Sequence, residues 1–303
     1  MMQTETRESR KPDFLYIGSS KSGSTWIFKI LSWHPNIYMY PGKHIGFFTR
    51  QFDKGWEWYL SNFKTGPEHK VVGEASHSYL ISELACERIH QHLPDAKLLV
   101  CLREPVERTF SQYLDGLKNH KMDGTLDEAL ERNPTLIDHS RYGTNLARYL
   151  QKFPRDQILI VSFDELVASP DKLAARLFEF LGVEALEIPP ALHRKVLPAG
   201  RPRVRSVAMA VKKVAQLTQR LGLIGLRGKV KTSPTVRNLL YRQYTAESRP
   251  KMPPETAARL HELMTVEVQR LDAVAGTDFC RLWNYAPAPQ YDVASVGCVS
   301  VRA

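Results

Sequence analysis

The chain has 303 residues with 43% hydrophobic and 24% charged side chains, and its 42 basic and 32 acidic residues give a formal net charge of +10. This composition excludes wholesale disorder, and the length suits one large α/β domain or two small ones. The four cysteines lack the spacing of a disulfide framework or a metal site, and no window approaches the roughly 20 apolar residues of a membrane-spanning helix.

The N-terminal tail, residues 1–12, is polar and lacks the apolar stretch of a signal peptide, so we expect it to be disordered. Together with the missing membrane-spanning window, this predicts a cytoplasmic location. After the tail, short apolar runs alternate with helical patterns. Such runs have the length of strands buried on both faces, and their alternation with helices indicates a mostly parallel sheet. The predicted strands are residues 14–17, 71–73, 98–102 and 158–161.

Helical patterns separate and follow these strands. The clearest helix start lies at Ser169, which is followed by a proline at the first helical position and by an acid in the first turn. The apolar stripe of this helix stops before Gly182, a residue type that commonly ends helices. The other helices predicted in this part are residues 25–33, 56–63, 82–92, 105–120 and 145–153.

Beyond residue 182 the alternation stops, and apolar residues recur at helical spacing over 207–221 and 260–271. Most of the surplus positive charge also lies here, since residues 188–246 contain thirteen Lys or Arg residues and no Asp or Glu. We found no strong linker and therefore expect one domain, 13–285. Its parts are a sheet core at 13–182 and a basic helical region at 183–285, with a poorly ordered tail at 286–303.

The first strand leads directly into a turn rich in glycine and hydroxyl side chains, residues 18–25, which opens a helix. The first N–H groups of a helix and its dipole attract an anion at this point, and an open α/β sheet places its ligand crevice at the same edge. Further donors are Lys21, Ser22, Ser24 and Thr25. The pattern differs from the G-x-x-x-x-G-K-[ST] nucleotide motif, because Lys21 precedes the second glycine, Gly23. A turn without a ligand is the alternative.

A second candidate anion site follows the strand at 98–102. Arg103 ends this strand, Pro105 starts the next helix, and Ser111 lies about two turns into it. A guanidinium at the carboxyl edge of the sheet with a hydroxyl nearby suits a second phosphate. Taken alone, an arginine at a strand end is more often the partner in a surface ion pair.

Together the two sites resemble the cofactor motifs of the sulfotransferases, which use 3′-phosphoadenosine 5′-phosphosulfate (PAPS). The motifs are K-S-G-S-T-W at 21–26 and R-E-P at 103–105 with a serine eight residues after the arginine. The resemblance covers residues 13–182 and is strongest to the carbohydrate-type and bacterial branch, which includes domains acting on heparan sulfate. It implies a three-layer α/β sandwich with a central parallel sheet, a phosphate-binding strand–turn–helix and a helical C-terminal region. Further matching residues are His34-Pro35, Phe47-Phe48, 55–59, Gly73-Glu74 and 162–166.

The resemblance also implies roles for the motif residues. It assigns the first motif to the 5′-phosphosulfate and the second, Arg103 and Ser111, to the 3′-phosphate. The residues of the first motif are Lys21, Ser22, Gly23, Ser24, Thr25 and Trp26. A basic loop after the last core helix closes over the cofactor in the family, which makes Arg203 or Arg205 a candidate contact of the 3′-phosphate. No metal is implied, because lysine, arginine and helix termini supply the positive charge.

Sulfuryl transfer needs a base near the acceptor hydroxyl and a cation or donors at the leaving oxygen. Lys21 suits the second role. The carbohydrate enzymes of the family place a glutamate shortly before the Phe-Phe pair, and His44 occupies that position here; an imidazole is a competent base near neutral pH. Glu74 is a rival base or a partner of His44, and His77 is an open candidate. The family often has lysine directly after the strand-end glutamate, where this chain has Ala75.

The acceptor is expected to be a hydroxyl, less favourably an amine, of a small molecule or carbohydrate. The aromatic residues at 56–59 either line an acceptor cleft or pack a helix onto the core. Two other functions stay open: a nucleotide-dependent phosphotransferase, and a basic protein that binds nucleic acid or a membrane surface. The phosphotransferase normally needs its lysine after the second glycine, and no specific nucleic acid is expected as partner. The sequence does not indicate an oligomeric state.

Overall fold

The computed structural model of the protein describes residues 8–119, 121–193, 200–202, 241–243 and 250–288. Its strands are β1 (Glu8–Ser9), β2 (Phe14–Gly18), β3 (Ile37–Met39), β4 (Lys64–Thr65), β5 (Val71–Ala75), β6 (Lys97–Leu102), β7 (Ile158–Ser162), β8 (Gly200–Pro202) and β9 (Tyr241–Gln243). Five of them form a parallel sheet in the order β3-β5-β2-β6-β7. The predicted parallel sheet is therefore confirmed.

Helices cover both faces of this sheet. They are α1 (Ser24–Trp33), α2 (Trp56–Leu60), α3 (Glu83–His92), α4 (Pro105–Lys118), α5 (Leu126–Arg132), α6 (Thr135–Asp138), α7 (Tyr142–Leu150), α8 (Phe163–Ala168), α9 (Pro170–Leu181), α10 (Pro254–Ala275) and α11 (Phe279–Leu282). A π-helical turn, Phe47–Gln51, and short 3-10 turns at Phe52–Lys54, Arg155–Gln157 and Pro190–Leu192 complete the described elements.

The central strand β2 explains the three layers. Its residues Phe14–Ile17 are at most 1% exposed, and their side chains alternate between two apolar clusters. Phe14 and Tyr16 pack with α1 and α9, whereas Leu15 and Ile17 pack with α3, α7 and α10. The glycine at position 73 of β5 is required, because a Cβ there would lie 2.3 Å from the Phe14 ring. The three-layer α/β sandwich is thereby confirmed.

Several local predictions differ from the structure. Within the stretch 1–12 that was predicted to be disordered, β1 pairs with β4 and Arg10 donates to the His69 carbonyl at 2.9 Å, while residues 1–7 lie outside the described residues. The helix predicted at 145–153 begins at Tyr142 and ends at Leu150. The helix predicted at 207–221 lies outside the described residues, as do positions 289–303 of the predicted tail.

The start of α9 follows the predicted rule. Pro170 occupies the first helical turn, and Gly182 ends the helix with φ of 73°, the left-handed conformation that glycine adopts without strain. The long helix α10 starts after Pro253 and packs along α7, which brings the C-terminal part of the chain onto the sheet core. None of the helices in the described ranges has the length and apolarity that crossing a membrane requires.

Candidate active site

The predicted anion-binding turn lies at the carboxyl end of the central strand, between β2 and α1. Gly23 precedes α1 with φ of 85°, and a Cβ at this position would lie 2.6 Å from Leu166 Cδ2, so only glycine fits. The first turn of α1 contains no acidic side chain that would neutralise its positive end. The turn therefore presents an electropositive helix end toward the edge of the sheet.

Hydrogen bonds fix this turn to both neighbouring strands. The Ser19 N–H donates to the Cys101 carbonyl of β6 at 2.9 Å, and the Tyr16 hydroxyl of β2 donates to the Ser19 carbonyl at 2.8 Å. The Ser22 hydroxyl is fully buried and lies 3.0 Å from the Ser19 hydroxyl. Because these groups are bonded within the protein, the turn is already shaped before a ligand arrives.

Two lysines reach the turn from different directions. Lys21, with φ of 69°, places its ammonium 3.2 Å from Asp115 Oδ1 on α4. Lys43, in the loop after β3, donates to Thr25 Oγ1 at 2.9 Å and to Ser24 Oγ at 3.3 Å. Lys21 was predicted as an anion-binding residue and Lys43 was not, although the carboxyl end of β3 lies on the same edge of the sheet as the turn.

The second predicted anion site lies along α4. The Arg103 guanidinium bonds Glu107 Oε2 at 2.9 Å and lies over the Phe163 ring at 5.0 Å. Ser111 is half-buried on α4, four residues before Asp115, so the two residues share a face of that helix. Ser111 is thus on the side of α4 that meets Lys21, while Arg103 lies at the start of the helix.

A buried arginine connects α4 to the turn. Arg108 is 0% exposed, and its guanidinium donates to the Ser20 carbonyl at 3.3 Å, the Ser20 hydroxyl at 3.0 Å and the Leu136 carbonyl at 2.7 Å. It also donates to the Ser140 hydroxyl at 3.2 Å and to Gln112 Oε1. Burial lowers the pKa of Arg108 to about 10, so it stays charged at neutral pH. Among the described residues its hydrogen bonds go only to uncharged acceptors.

His44 and His77 form a pair beside the turn. Their ring centroids are 4.0 Å apart, and His44, with φ of 67°, is held by its N–H bond to the Ala75 carbonyl at 2.8 Å. The pKa of His77 is lowered to about 4, first by burial and then by the charges of Lys43 and Arg108. His77 is therefore neutral at physiological pH, and its Nδ1 is buried without a hydrogen-bond partner among the described residues.

Glu74 lies at the end of β5 but is 0% exposed. Its carboxylate accepts hydrogen bonds from the Tyr79 hydroxyl at 2.6 Å, the Ser76 hydroxyl at 2.7 Å and the Tyr59 hydroxyl at 3.3 Å. Burial raises the pKa of Glu74 to about 7, against the opposing effect of these hydroxyl donors. Because the Ser76 hydroxyl also accepts from the Gly46 N–H at 2.9 Å, Glu74 is linked to the loop that carries His44.

This raised pKa predicts a pH-dependent stability. Between about pH 4.5 and 7 the folded chain keeps a proton on Glu74 that the unfolded chain releases, so the free energy of unfolding falls as the pH rises through that window. The loss amounts to about 3 kcal/mol. Glu74→Gln removes this contribution, so urea titrations at pH 4.5 and 8 should show a smaller decline for the variant than for the wild type. The exposed Glu87→Gln variant is the control, and equal declines for Glu74→Gln and wild type would contradict the prediction.

Other predicted residues lie elsewhere. The Trp26 indole packs in the core, 5% exposed, and donates to the Leu192 carbonyl at 2.6 Å, because its face of α1 is the one that meets the sheet. The predicted role of Trp26 as a cofactor contact stays a prediction. Arg203 and Arg205 lie outside the described residues. In the aromatic segment Tyr59 is fully buried and stacks on Phe47 at 4.3 Å, which indicates packing onto the core.

The described part of the chain contains no group of three or more histidine, cysteine or acidic side chains arranged to hold a metal ion. His139, directly after α6, was not predicted either; its pKa is lowered to about 3, first by burial and then by the charge of Arg108. The site thus combines a helix N-terminus, four cationic side chains and a set of histidines at the carboxyl edge of the sheet.

Comparison with known proteins gives the site a family context. Human heparan sulfate glucosamine 3-O-sulfotransferase 3B1 is 30% identical over 184 residues, which are 58% of this chain and 47% of the relative. The membrane-associated sulfotransferase kil1 of Dictyostelium discoideum is 38% identical over 145 residues, 43% of this chain and 31% of the relative. The chain thus spans about half the length of the heparan sulfate enzyme and about a third of the length of kil1.

These relatives correct one prediction. The expected cytoplasmic location is wrong, since the matched relatives include a membrane-associated sulfotransferase and heparan sulfate sulfotransferases. The prediction was drawn from a polar N-terminus and from the lack of an apolar window, and neither observation reports the compartment in which a chain works.

Solved structures share the fold. A sulfotransferase from Alicyclobacillus acidocaldarius aligns with a TM-score of 0.67 at 22% identity over 91% of this chain and 99% of the other. Mouse sulfotransferase SULT7A1, solved in complex with PAP, aligns with a TM-score of 0.53 at 15% identity over 93% of this chain and 92% of the other. The family model described as a sulfotransferase domain matches residues 11–272, most of the chain. The resemblance found in the sequence is confirmed, and the chain belongs to the sulfotransferase family.

Proposed function

We propose that this chain transfers the sulfuryl group of PAPS to a hydroxyl of a carbohydrate or other small acceptor. The observation that carries the proposal is the turn between β2 and α1. It contains Lys21, its helix N-terminus is bonded by the Lys43 ammonium, and the charge of Lys43 acts on the neighbouring His44–His77 pair. Positive charge at a leaving oxygen and a neutral base nearby are what sulfuryl transfer requires. Heparan sulfate sulfotransferases among the relatives favour a carbohydrate acceptor.

The two anion sites would each bind one end of PAPS. The turn and Lys21 would hold the 5′-phosphosulfate, with Lys21 moving from Asp115 to the oxygen that leaves toward the 5′-phosphate. Arg103 and Ser111 would hold the 3′-phosphate from the edge of α4. Arg203 and Arg205 stay candidates for the same phosphate, since they follow β8, which lies beside α4.

His44 would accept the proton of the acceptor hydroxyl. His77 is the weaker candidate, because its pKa of about 4 makes it a poor proton acceptor near neutral pH. Glu74 would act as a positioning residue: its carboxylate is bonded to three hydroxyls, and one of them, Ser76, holds the backbone of the loop after His44. In this arrangement the base sits on a loop that the core holds in place.

A donor-binding experiment tests the proposal. Adenosine 3′,5′-bisphosphate should raise the melting temperature, whereas ATP with Mg²⁺ should not, and labelled PAPS should then transfer its label to one or more of a panel of hydroxylated carbohydrates and small molecules. Lys21→Ala is expected to lower the transfer rate about 10²- to 10³-fold. Lys97→Ala is the matched control, since the Lys97 ammonium lies far from the turn and bonds the Phe180 carbonyl. Stabilisation by ATP with Mg²⁺ alone would instead favour a phosphotransferase.

A further inference from the structure

Lys43 contributes positive charge to the site, and its ammonium lies between the anion-binding turn and the histidines. Its ammonium bonds the hydroxyls of Ser24 and Thr25, the first two residues of α1. It also lies close enough to His77 that its charge lowers the pKa of that imidazole more than any other charge does. One cation is thus bonded to the anion turn and acts electrostatically on a histidine of the pair.

The loop that carries Lys43 is held rigidly. The next residue, His44, bonds the Ala75 carbonyl through its N–H, and the Gly46 N–H bonds the Ser76 hydroxyl. Both contacts lie at the carboxyl end of β5, where position 75 is an alanine and carries no charge of its own. Lys43, in the loop after β3, therefore supplies positive charge at the carboxyl end of β5.

On the basis of the proposed function, we propose that Lys43 is a catalytic residue whose ammonium contacts the sulfuryl oxygens during transfer. The acceptor oxygen forms a bond to sulfur while the bond from sulfur to the 5′-phosphate oxygen breaks, and the electron pair of that bond stays on the phosphate. The acceptor proton passes to His44. Lys21 neutralises the leaving oxygen, and Lys43 neutralises the three oxygens that move with sulfur.

This division of labour has a signature in binding. PAPS carries the sulfuryl group and its product, adenosine 3′,5′-bisphosphate, does not, so a contact from Lys43 should strengthen the binding of PAPS and leave the product unaffected. A lysine that merely shaped the turn through Ser24 and Thr25 would instead affect both ligands equally. The ratio of the two dissociation constants therefore separates contact with the sulfuryl group from support of the turn.

The experiment compares Lys43→Met and Lys43→Arg with wild type and with Lys29→Met, which removes one charge from α1 away from the turn. Calorimetry measures the dissociation constants of PAPS and of the bisphosphate, and single-turnover assays measure transfer. Lys43→Met should weaken PAPS about 10-fold, change the bisphosphate less than 3-fold and slow transfer about 10²- to 10³-fold, with Lys43→Arg between the two and Lys29→Met unchanged.

Two results would overturn the assignment: equal weakening of both ligands in Lys43→Met, or transfer within 3-fold of wild type. If Lys43→Met fails to melt cooperatively, Lys43→Gln provides the same comparison with a polar side chain that can still bond Thr25. The proposed function fails separately, when the wild type binds neither ligand. Binding of both ligands with an unchanged ratio in the variant rejects Lys43 alone.

Discussion

Replacing His44 with alanine is expected to lower kcat about 10²- to 10⁴-fold and to change the affinity for adenosine 3′,5′-bisphosphate less than 3-fold. The imidazole is held beside the anion turn by its own backbone bond to Ala75, and its ring lies 4.0 Å from that of His77. Removing the ring deletes the proton acceptor and leaves the turn and its lysines in place. Single-turnover transfer and calorimetry measure the two quantities.

The matched control is His90→Ala. His90 lies on α3, and its ring packs against Phe153, away from the anion turn. The variant should keep transfer within 3-fold of wild type. Near-normal turnover in His44→Ala would contradict the assignment of the base. In that case the neutral His77 becomes the next candidate, and His77→Ala should then carry the whole loss in rate.

Arg108→Met is expected to lower the free energy of unfolding by about 3 kcal/mol. The substitution removes the charged N–H donors from the buried carbonyls of Ser20 and Leu136, which keep the Ser19 hydroxyl at 3.0 Å and the Thr109 hydroxyl at 3.5 Å. Each lost hydrogen bond to a charged donor costs about 1.5–3 kcal/mol. Part of this cost is offset, because a buried charge is removed that has only uncharged acceptors among the described residues. For a chain of this size the melting temperature should fall by about 5 °C.

Calorimetric melting of Arg108→Met against Arg132→Met measures this effect. Arg132 forms surface ion pairs with Asp123 and Glu128, and such pairs contribute little, so its loss should shift the melting temperature by less than about 2 °C. Arg108→Lys should fall between Arg108→Met and wild type, since an ammonium can satisfy only some of the same acceptors. Equal melting temperatures for Arg108→Met and wild type would refute the account of this arginine as the link between α4 and the turn.

The parts of the fold that sequence predicts are those decided by local pattern. The buried strands β2, β5, β6 and β7 are continuous apolar runs, and the turn after β2 has its glycine and lysine within a few residues. The strand β3 was missed because it has three residues, too few to establish a period. The short helices α5 and α6 were missed for the same reason, although the capping box of Thr125 and Glu128 marks the start of α5.

The parts of the site that sequence did not predict depend on approach between distant segments. Lys43 meets Thr25 across 18 positions of sequence and Arg108 meets Ser20 across 88, and no local pattern reports such pairs. The surroundings of the Trp26 side chain were not predicted either. Trp26 lies inside the recognised motif, and the phase of α1 turns its side chain into the core. Burial of Glu74 was equally invisible, although two of its hydroxyl partners, Ser76 and Tyr79, follow within five residues, because no repeating pattern marks a buried carboxylate.

The antiparallel pairing of β8 and β9 has a consequence for how the chain is organised. Gly200 lies opposite Gln243 and Pro202 opposite Tyr241, so the two ends of the segment between these strands are held side by side. The 38 residues from 203 to 240 contain nine Lys or Arg residues and no acid, while the rest of the chain is close to electroneutral. The entropic cost of holding two chain ends together rises only slowly with the number of residues between them, so this pairing costs little more for 38 residues than for half as many. Nearly all of the net positive charge is therefore carried by a segment whose two ends meet at one strand pair.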